Sequence, residues 1–199
     1  MFKTKEALIP YLLLAAAVAG GLLWHESENV PQLGRTVSTG SIAVGGPYQL
    51  IDQNGRPRGS ADFRGKYVLI YFGYSFCPDV CPTTLGVMSD ALDKLGINGD
   101  HIVPVFVTID PERDTPAILK QYMASFGPRF VGLTGSPAAI AAVEKEYRVY
   151  AKKQPLPGGA YGMDHSSVIY LMGPDGKLVS YYDELISSAD LAKDLKAKI

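Results

Sequence analysis

The feature that most constrains the fold of this chain is an apolar run that ends shortly before a pair of cysteines. Residues 67–72 are apolar or aromatic without interruption, which is typical of a strand buried on both faces of a sheet. Cys77 and Cys81 are the only cysteines in the 199 residues, and each is followed directly by a proline. A helical pattern of apolar residues then covers residues 82–95. The sequence therefore predicts a core strand and a helix with two thiols between them.

The rest of the chain alternates strand and helix patterns, and a hairpin and a helix close it. The first element is a small hairpin at about 48–58, with a type I′ turn at Asn54-Gly55. The remaining predicted elements are strands at 102–109, 130–133, 149–152, 168–172 and 178–182, and helices at 116–126, 137–147 and 188–199. This order predicts an α/β, thioredoxin-like fold, in which helices flank a central mixed sheet preceded by an N-terminal β-hairpin.

The first 26 residues predict one transmembrane helix that anchors the chain. Two lysines precede an uncharged run at 7–24, and acidic residues follow it. Eighteen helical residues span about 27 Å, which is near the lower limit for crossing a bilayer. The charge order places the N-terminus in the cytoplasm and the C-terminal domain in a bacterial periplasm, on the inner membrane. A cleaved signal peptide ending near Ala19 is the alternative, and it exports the same domain.

Composition limits what the exported part can be. Residues 27–44 are polar and contain Gly, Ser and Pro, so we expect a tether before a single domain at 45–199. The net charge is -1 and no basic cluster is present, which argues against a nucleic-acid partner. Two cysteines cannot make a disulfide scaffold, so the domain must be stabilised by its apolar core.

The cysteine pair can exchange disulfides, bind a metal ion or staple a turn. A thiol at a helix N-terminus is favoured as the thiolate, which serves the first two uses. The spacing of Cys77 and Cys81 is one residue longer than the Cys-x-x-Cys of disulfide oxidoreductases, and four positions are nearly one helical turn. Both sulfurs can therefore face one point, where a metal ion would need a third ligand.

His165 is the best placed of the three histidines to be that ligand. It precedes strand 168–172, which we expect beside the cysteine strand, whereas His101 reads as a surface residue and His25 as a membrane-interface residue. Asp164 is placed to orient the imidazole as a carboxylate partner, and the alternative is that it caps a turn. The stretch at 154–161 reads as a flexible linker, and we hypothesise that it moves the histidine during metal capture or release.

The charged segment at 110–114 is the other candidate constellation. One interpretation is a strand-to-helix connection in which Asp114 or Thr115 caps the helix that begins at Pro116. The other is a role beside the metal or in docking a partner, with Asp110 the residue that faces the site.

Together these segments resemble the Sco/SenC family of membrane-anchored copper chaperones. The resemblance rests on the residues at 65–83, 107–116 and 164–176, and it extends over about 45–199. It implies that Cys77, Cys81 and His165 bind one copper ion, as Cu(I) or Cu(II), although the same donors also suit zinc. It further implies delivery to the binuclear copper site on cytochrome c oxidase subunit II, an upstream periplasmic copper donor and a thiol reductant.

Two enzymatic functions are alternatives to the copper chaperone that the resemblance implies. The first is a periplasmic thiol-disulfide oxidoreductase, in which Cys77 and Cys81 are catalytic and keep the cysteines of the oxidase copper site reduced. The second is a thiol peroxidase, which needs an activating arginine beside the attacking cysteine. No arginine flanks Cys77 or Cys81 in the sequence.

Overall fold

The structure of the protein is a computed structural model that describes residues 43–199. The predicted anchor at 1–26, His25 and most of the predicted tether lie outside the described residues. Within 43–199, no helix is both long enough and apolar enough to cross a membrane.

Nine strands and four α-helices make up the described part of the chain. The strands are β1 (Gln49–Asp52), β2 (Pro57–Gly59), β3 (Tyr67–Gly73), β4 (Ile102–Thr108), β5 (Val131–Thr134), β6 (Ala151–Pro155), β7 (Tyr161–His165), β8 (Val168–Met172) and β9 (Leu178–Asp183). The helices are α1 (Val80–Lys94), α2 (Pro116–Ala124), α3 (Pro137–Tyr147) and α4 (Ser188–Lys198). Short 3-10 helices lie at Ser60–Phe63, Gly96–His101 and Pro157–Gly159.

Seven strands form the main sheet in the order β2-β1-β5-β4-β3-β8-β9. Strands β3, β4 and β5 run parallel, and β8 pairs antiparallel with β3. The two faces of β3 pack against different helices. Phe72 contacts Tyr147 of α3, while Tyr71 and its neighbour Phe106 lie on the other face, where Phe106 contacts Tyr122 of α2. Helices therefore flank a mixed sheet, which confirms the predicted thioredoxin-like fold.

The N-terminal hairpin of β1 and β2 is present, but the predicted type I′ turn is wrong. That turn needs positive φ at both central residues. Gly55 has a φ of 78°, whereas Arg148 is the only non-glycine residue with positive φ among residues 43–199, so Asn54 does not qualify. The Asp52 carboxylate instead organises a longer loop, because it accepts hydrogen bonds from the backbone N–H groups of Asn54 (2.8 Å) and Arg56 (3.0 Å).

The stretch at 154–161, which we expected to be a flexible linker, connects the strands of a second, two-stranded sheet, and its ends belong to those strands. Strands β6 and β7 pair antiparallel with each other, with Ala151 opposite His165, and neither pairs with the main sheet. Their connection at Pro157–Gly159 uses Gly158 and Gly159 in left-handed conformations, which glycine adopts without strain. His165 is the last residue of β7, four residues after the end of this stretch, so it belongs to the hairpin.

Helix starts follow the predicted chemistry with small shifts. Thr115, and not Asp114, caps α2, because its Oγ1 accepts a hydrogen bond from the Ile118 N–H at 3.3 Å. Ser187 caps α4 in the same way through the Asp190 N–H at 3.1 Å. Helix α1 begins at Val80, two residues before the predicted start, so Cys81 lies inside its first turn.

Candidate metal centre

The two cysteines lie where β3 ends and α1 begins. Cys77 is in the connecting loop and half-buried, whereas Cys81 is the second residue of α1 and fully buried. The Cys81 backbone N–H donates to the Cys77 sulfur at 3.4 Å, so one unpaired donor of the helix N-terminus points at Cys77. Both cysteines are free thiols.

The end of β3 is shaped to receive the Cys81 sulfur. A Cβ atom at Gly73 would lie 2.8 Å from Cys81 Sγ and 3.0 Å from the rings of Phe106 and Tyr71. Only a residue without a side chain fits there, so Gly73 opens the space that Cys81 occupies. The Tyr71 hydroxyl donates to the same sulfur at a distance of 3.8 Å.

Burial changes the acidity that we expected for Cys81. A helix N-terminus favours a thiolate, but burial, with a smaller contribution from the nearby Cys77, raises the pKa of the Cys81 thiol to about 12. Without a bound cation, Cys81 is therefore a neutral thiol. A metal ion that binds it must displace the proton.

His165 comes close to Cys81 although the two residues lie far apart in the sequence. Its Nε2 lies 3.6 Å from Cys81 Sγ, and its Nδ1 lies 3.1 Å from the Ser166 carbonyl oxygen. We assign the proton to Nδ1, which donates to that carbonyl and leaves the Nε2 lone pair facing Cys81. Burial lowers the pKa of His165, which favours the neutral imidazole that binds metals.

The distance between these two donors suits one shared metal ion. With metal–sulfur and metal–nitrogen bonds of about 2.3 and 2.0–2.1 Å, as for zinc, two ligands at trigonal or tetrahedral angles lie about 3.6–3.8 Å apart. The observed 3.6 Å falls at the lower end of this range. Within residues 43–199, no three His, Cys, Asp or Glu side chains already form a complete metal site. The structure thus pairs Cys81 with His165 and leaves Cys77 adjacent.

Aromatic rings enclose His165 on the protein side. The imidazole contacts Tyr71 and Tyr74 edge-on, with ring centroids 6.3 and 5.9 Å away. Such a dry, apolar wall favours a soft ion of low charge over a strongly hydrated one. His101, in contrast, is exposed in the 3-10 helix Gly96–His101, as we expected of a surface residue.

Asp164 and Asp110 occupy different environments. Asp164 is exposed, and its carboxylate accepts a hydrogen bond from Gln154 Nε2 at 3.1 Å, while the Ser166 carbonyl is the partner of the His165 ring. Asp110 is buried, with 1% of its surface exposed, and contacts neither cysteine through a hydrogen bond. Its two oxygens accept from Arg113 Nε and from the Tyr161 hydroxyl, the latter at 2.9 Å.

Asp114 ties the cysteine loop to the main sheet. Its carboxylate is fully buried and accepts hydrogen bonds from the Ser75 N–H at 3.0 Å, the Ser75 hydroxyl and the Thr108 hydroxyl at 2.6 Å. Burial raises the pKa of Asp114, and these hydrogen bonds act in the opposite direction. The sequence offered Asp114 a capping role or, with the rest of the segment at 110–114, a role beside the metal or in docking, and nothing in the local pattern indicates that it reaches Ser75.

Arg113 and Tyr161 are the residues near the site that sequence reasoning did not single out individually. The Arg113 guanidinium carbon lies 3.8 Å from the centroid of the Tyr161 ring and 4.8 Å from that of Phe76. Arg113 belongs to the charged segment at 110–114 that the sequence did mark. No signal marks Tyr161, because it lies in a glycine-rich stretch that reads as a loop.

Comparison with known proteins gives one family. The family model described as SCO1/SenC matches residues 36–199. The mitochondrial SCO2 homolog of Mus musculus is 39% identical over 198 residues, which cover 94% of this chain and 78% of that protein. The copper-bound structure of Bradyrhizobium japonicum ScoI is 48% identical, covers 79% of this chain and 100% of its own, and has a TM-score of 0.74. BsSco, a member of the Sco family of cytochrome c oxidase assembly proteins with an identified disulfide switch, is 25% identical and has a TM-score of 0.65, with 81% and 96% covered.

Proposed function

This chain belongs to the SCO1/SenC family, and from that premise we propose that it is a copper metallochaperone. It binds one copper ion through Cys77, Cys81 and His165 and delivers it to the binuclear copper site on cytochrome c oxidase subunit II. The copper bound to the related ScoI and the oxidase-assembly role of the family that includes BsSco support this assignment.

The observation that carries the proposal is the 3.6 Å distance between Cys81 Sγ and His165 Nε2. Two thiolates and one imidazole are soft and borderline donors, which suit Cu(I) with three ligands, and Cu(II) can add an oxygen ligand. Cys77 is half-buried in its loop and supplies the second sulfur, so it is the more accessible of the two. Because the sulfurs are thiols before the ion arrives, copper binding releases protons.

The proposed location follows from the N-terminal segment. Residues 1–26 anchor the chain in a bacterial inner membrane, and the domain faces the periplasm, where an upstream copper donor and a thiol reductant act on it. The order of basic, uncharged and acidic residues supports this orientation.

The test is copper binding by the full chain in detergent, reduced beforehand, with one equivalent of copper added. We expect a thiolate-to-Cu(II) charge-transfer band in the wild-type protein. His165→Ala should weaken copper binding by more than about 100-fold, since it removes a direct ligand. His101→Ala is the matched control, because that histidine is exposed and remote from the cysteines, and it should bind copper as the wild type does. A wild-type protein without the band would refute the proposal.

A second function, thiol-disulfide oxidoreductase, is favoured by the unequal exposure of the two cysteines. Half-buried Cys77 is accessible to a partner disulfide, whereas buried Cys81 is placed to resolve the product, with its N–H 3.4 Å from the Cys77 sulfur. The Cys77 thiolate attacks one partner sulfur and forms a mixed disulfide. Cys81 then gives up its thiol proton to solvent and attacks the Cys77 sulfur, which releases the second partner sulfur as a thiolate and leaves a Cys77–Cys81 disulfide that an external thiol reductant converts back to two thiols.

His165→Ala separates the two functions. An oxidoreductase keeps most of its activity in this variant, measured as reduction of a disulfide in a peptide with the two copper-site cysteines of subunit II. A chaperone loses tight copper binding in the same variant. Loss of both activities would show that the histidine is needed to place the cysteines themselves.

A further inference from the structure

One arginine joins the two parts of the protein that carry the copper ligands. Arg113 lies between Phe76, which directly precedes Cys77, and Tyr161, which lies on the same strand as His165. Its guanidinium carbon is 4.8 Å from the first ring centroid and 3.8 Å from the second. An arginine sandwiched between two aromatic faces is held by cation–π attraction and stacking. No other cation lies over rings from both segments among residues 43–199.

Hydrogen bonds join Asp110, Arg113 and Tyr161 into a closed network. Arg113 Nε donates to Asp110 Oδ2, Arg113 Nη1 donates to the Tyr161 carbonyl oxygen at 3.0 Å, and the Tyr161 hydroxyl donates to Asp110 Oδ1 at 2.9 Å. Asp110 is 1% exposed and lies two residues after the end of β4, so the three-residue network is fixed to the main sheet. Arg113 Nη2 is buried without a hydrogen-bond acceptor among the described residues, which leaves ring stacking as its compensation.

The hairpin of β6 and β7 needs such an attachment. It pairs with no strand of the main sheet, so the hydrogen bonds between strands that fix β3 do not fix β7. Tyr161 is the first residue of β7 and His165 is the last. The residue that stacks on Arg113 and the histidine therefore lie on one short strand. Segments with few buried contacts open locally at low cost.

We propose that Asp110, Arg113 and Tyr161 form a latch that positions His165 against the cysteines and sets the rate at which copper leaves. The latch deepens the proposed copper-binding function and rests on it. These are positioning residues, because none of them is a ligand. When the latch is closed, β7 holds Nε2 beside Cys81. When it opens, the hairpin moves away with the histidine and leaves the ion on the two sulfurs.

Two variants of the full chain in detergent test the latch. Tyr161→Phe keeps the ring and removes only the hydroxyl bonded to Asp110. Arg113→Lys keeps a cation and loses the planar group that stacks on both rings. Arg129→Lys is the matched control, because Arg129 also pairs with aspartates, Asp93 and Asp100, but beside the C-terminal end of α1.

The first measurement is amide hydrogen exchange of the reduced, metal-free protein over Tyr161–His165. We expect exchange there to be about tenfold faster in both latch variants, equal to about 1.4 kcal/mol, while amides of β3 keep wild-type rates. The second is copper release to a competing chelator, which should also be about tenfold faster, with the charge-transfer band retained.

The results distinguish a failure of the latch from a failure of the proposed copper function. Unchanged exchange in β7 in both latch variants overturns the latch, whether or not copper release changes. Faster exchange together with unchanged release also overturns it, since the latch would not act on copper. A wild-type protein without a thiolate–copper band refutes the proposed copper function, and the exchange data then still decide whether the contact holds the hairpin.

Discussion

The loop with Cys77 and the helix start with Cys81 continue from β3, an inner strand of the main sheet, whereas His165 lies on a hairpin that pairs with no strand of that sheet. The cysteine loop is fixed by buried contacts. Ser75 bonds to the buried carboxylate of Asp114, and the Cys81 sulfur packs closely against Gly73. The hairpin is attached by side chains. Ala151 and Met163 pack partly buried against the core, Arg113 (23% exposed) joins Tyr161 to buried Asp110, and Lys153 (44% exposed) pairs with Glu112.

This difference separates two tasks within one site. Moving the cysteines requires breaking buried hydrogen bonds of the core, which costs a large part of the stability of a domain of this size. Moving the histidine requires only that a hairpin detach, which proteins do without unfolding. The sulfurs therefore form the permanent part of the site and the imidazole the adjustable part.

Asp114→Ala gives the largest expected effect, because it removes the buried anchor of the cysteine loop. Three donors, from Ser75 and Thr108, would lose their acceptor. We expect the free energy of unfolding to fall by about 4–5 kcal/mol, the sum of three hydrogen bonds at the lower end of the roughly 1.5–3 kcal/mol that each bond to a charged group contributes, net of water. Urea unfolding of the reduced protein, followed by the near-ultraviolet circular dichroism of its tyrosines, measures this.

Asp93→Ala is the control for that variant, because Asp93 is exposed and its partner Arg129 keeps Asp100. It should leave the unfolding midpoint within error of the wild type. If Asp114→Ala cost no more than Asp93→Ala, the cysteine loop would not be anchored by buried bonds, and the distinction between the two regions would fail.

Gly73→Ala comes next and acts on the cysteine sulfur directly. The added methyl group would overlap Cys81 Sγ at 2.8 Å, and overpacking of this kind costs about 1–3 kcal/mol. We expect lower stability and a shifted charge-transfer band after copper addition, because Cys81 must move.

Gly86→Ala, in the middle of α1, is the matched control, and we expect it to raise the free energy of unfolding where Gly73→Ala lowers it. A Cβ atom there has no neighbour within 4 Å, and alanine favours a helix over glycine by about 0.5–1 kcal/mol. Urea unfolding should therefore separate the two glycine variants on either side of the wild type. Equal effects of the two substitutions would mean that the contact at Gly73 relaxes freely.

The sequence predicted most of the regular fold because its elements have strong local patterns. The apolar run of β3 and the spacing in α1 determine both elements, and His165 could be chosen because it precedes β8. The family resemblance then suggested the same three candidate ligands. The placement of Cys81 beside His165 agrees with that choice, while the roles of all three residues as copper ligands remain a prediction.

The parts that the sequence did not predict depend on contacts between distant residues. Strand β7 has the sequence Tyr-Gly-Met-Asp-His, in which the apolar alternation is limited to Tyr161 and Met163 and is too short to predict a strand, and it pairs with β6 only. The partners of Asp110 and Asp114 are set by the tertiary fold, so local rules suggested capping and a position beside the metal. The acidity of Cys81 depends on burial, which the helix N-terminus alone does not reveal.

Glu112→Gln gives the smallest expected effect and tests which contacts attach the hairpin. Glu112 Oε2 lies 2.6 Å from Lys153 Nζ of β6, and 58% and 44% of the two side chains are exposed. Exposed ion pairs contribute little because water and salt screen them. We expect no measurable change in the free energy of unfolding, and copper release within error of the wild type at both low and high salt.

The latch variant Arg113→Lys, measured in parallel, should release copper about tenfold faster, equal to about 1.4 kcal/mol. If Glu112→Gln accelerated release as strongly, and only at low salt, exposed charges would hold the histidine in place of the stacked arginine. The position of the hairpin with His165 would then depend on ionic strength, whereas the cysteine loop, which buried hydrogen bonds hold, would not respond to it.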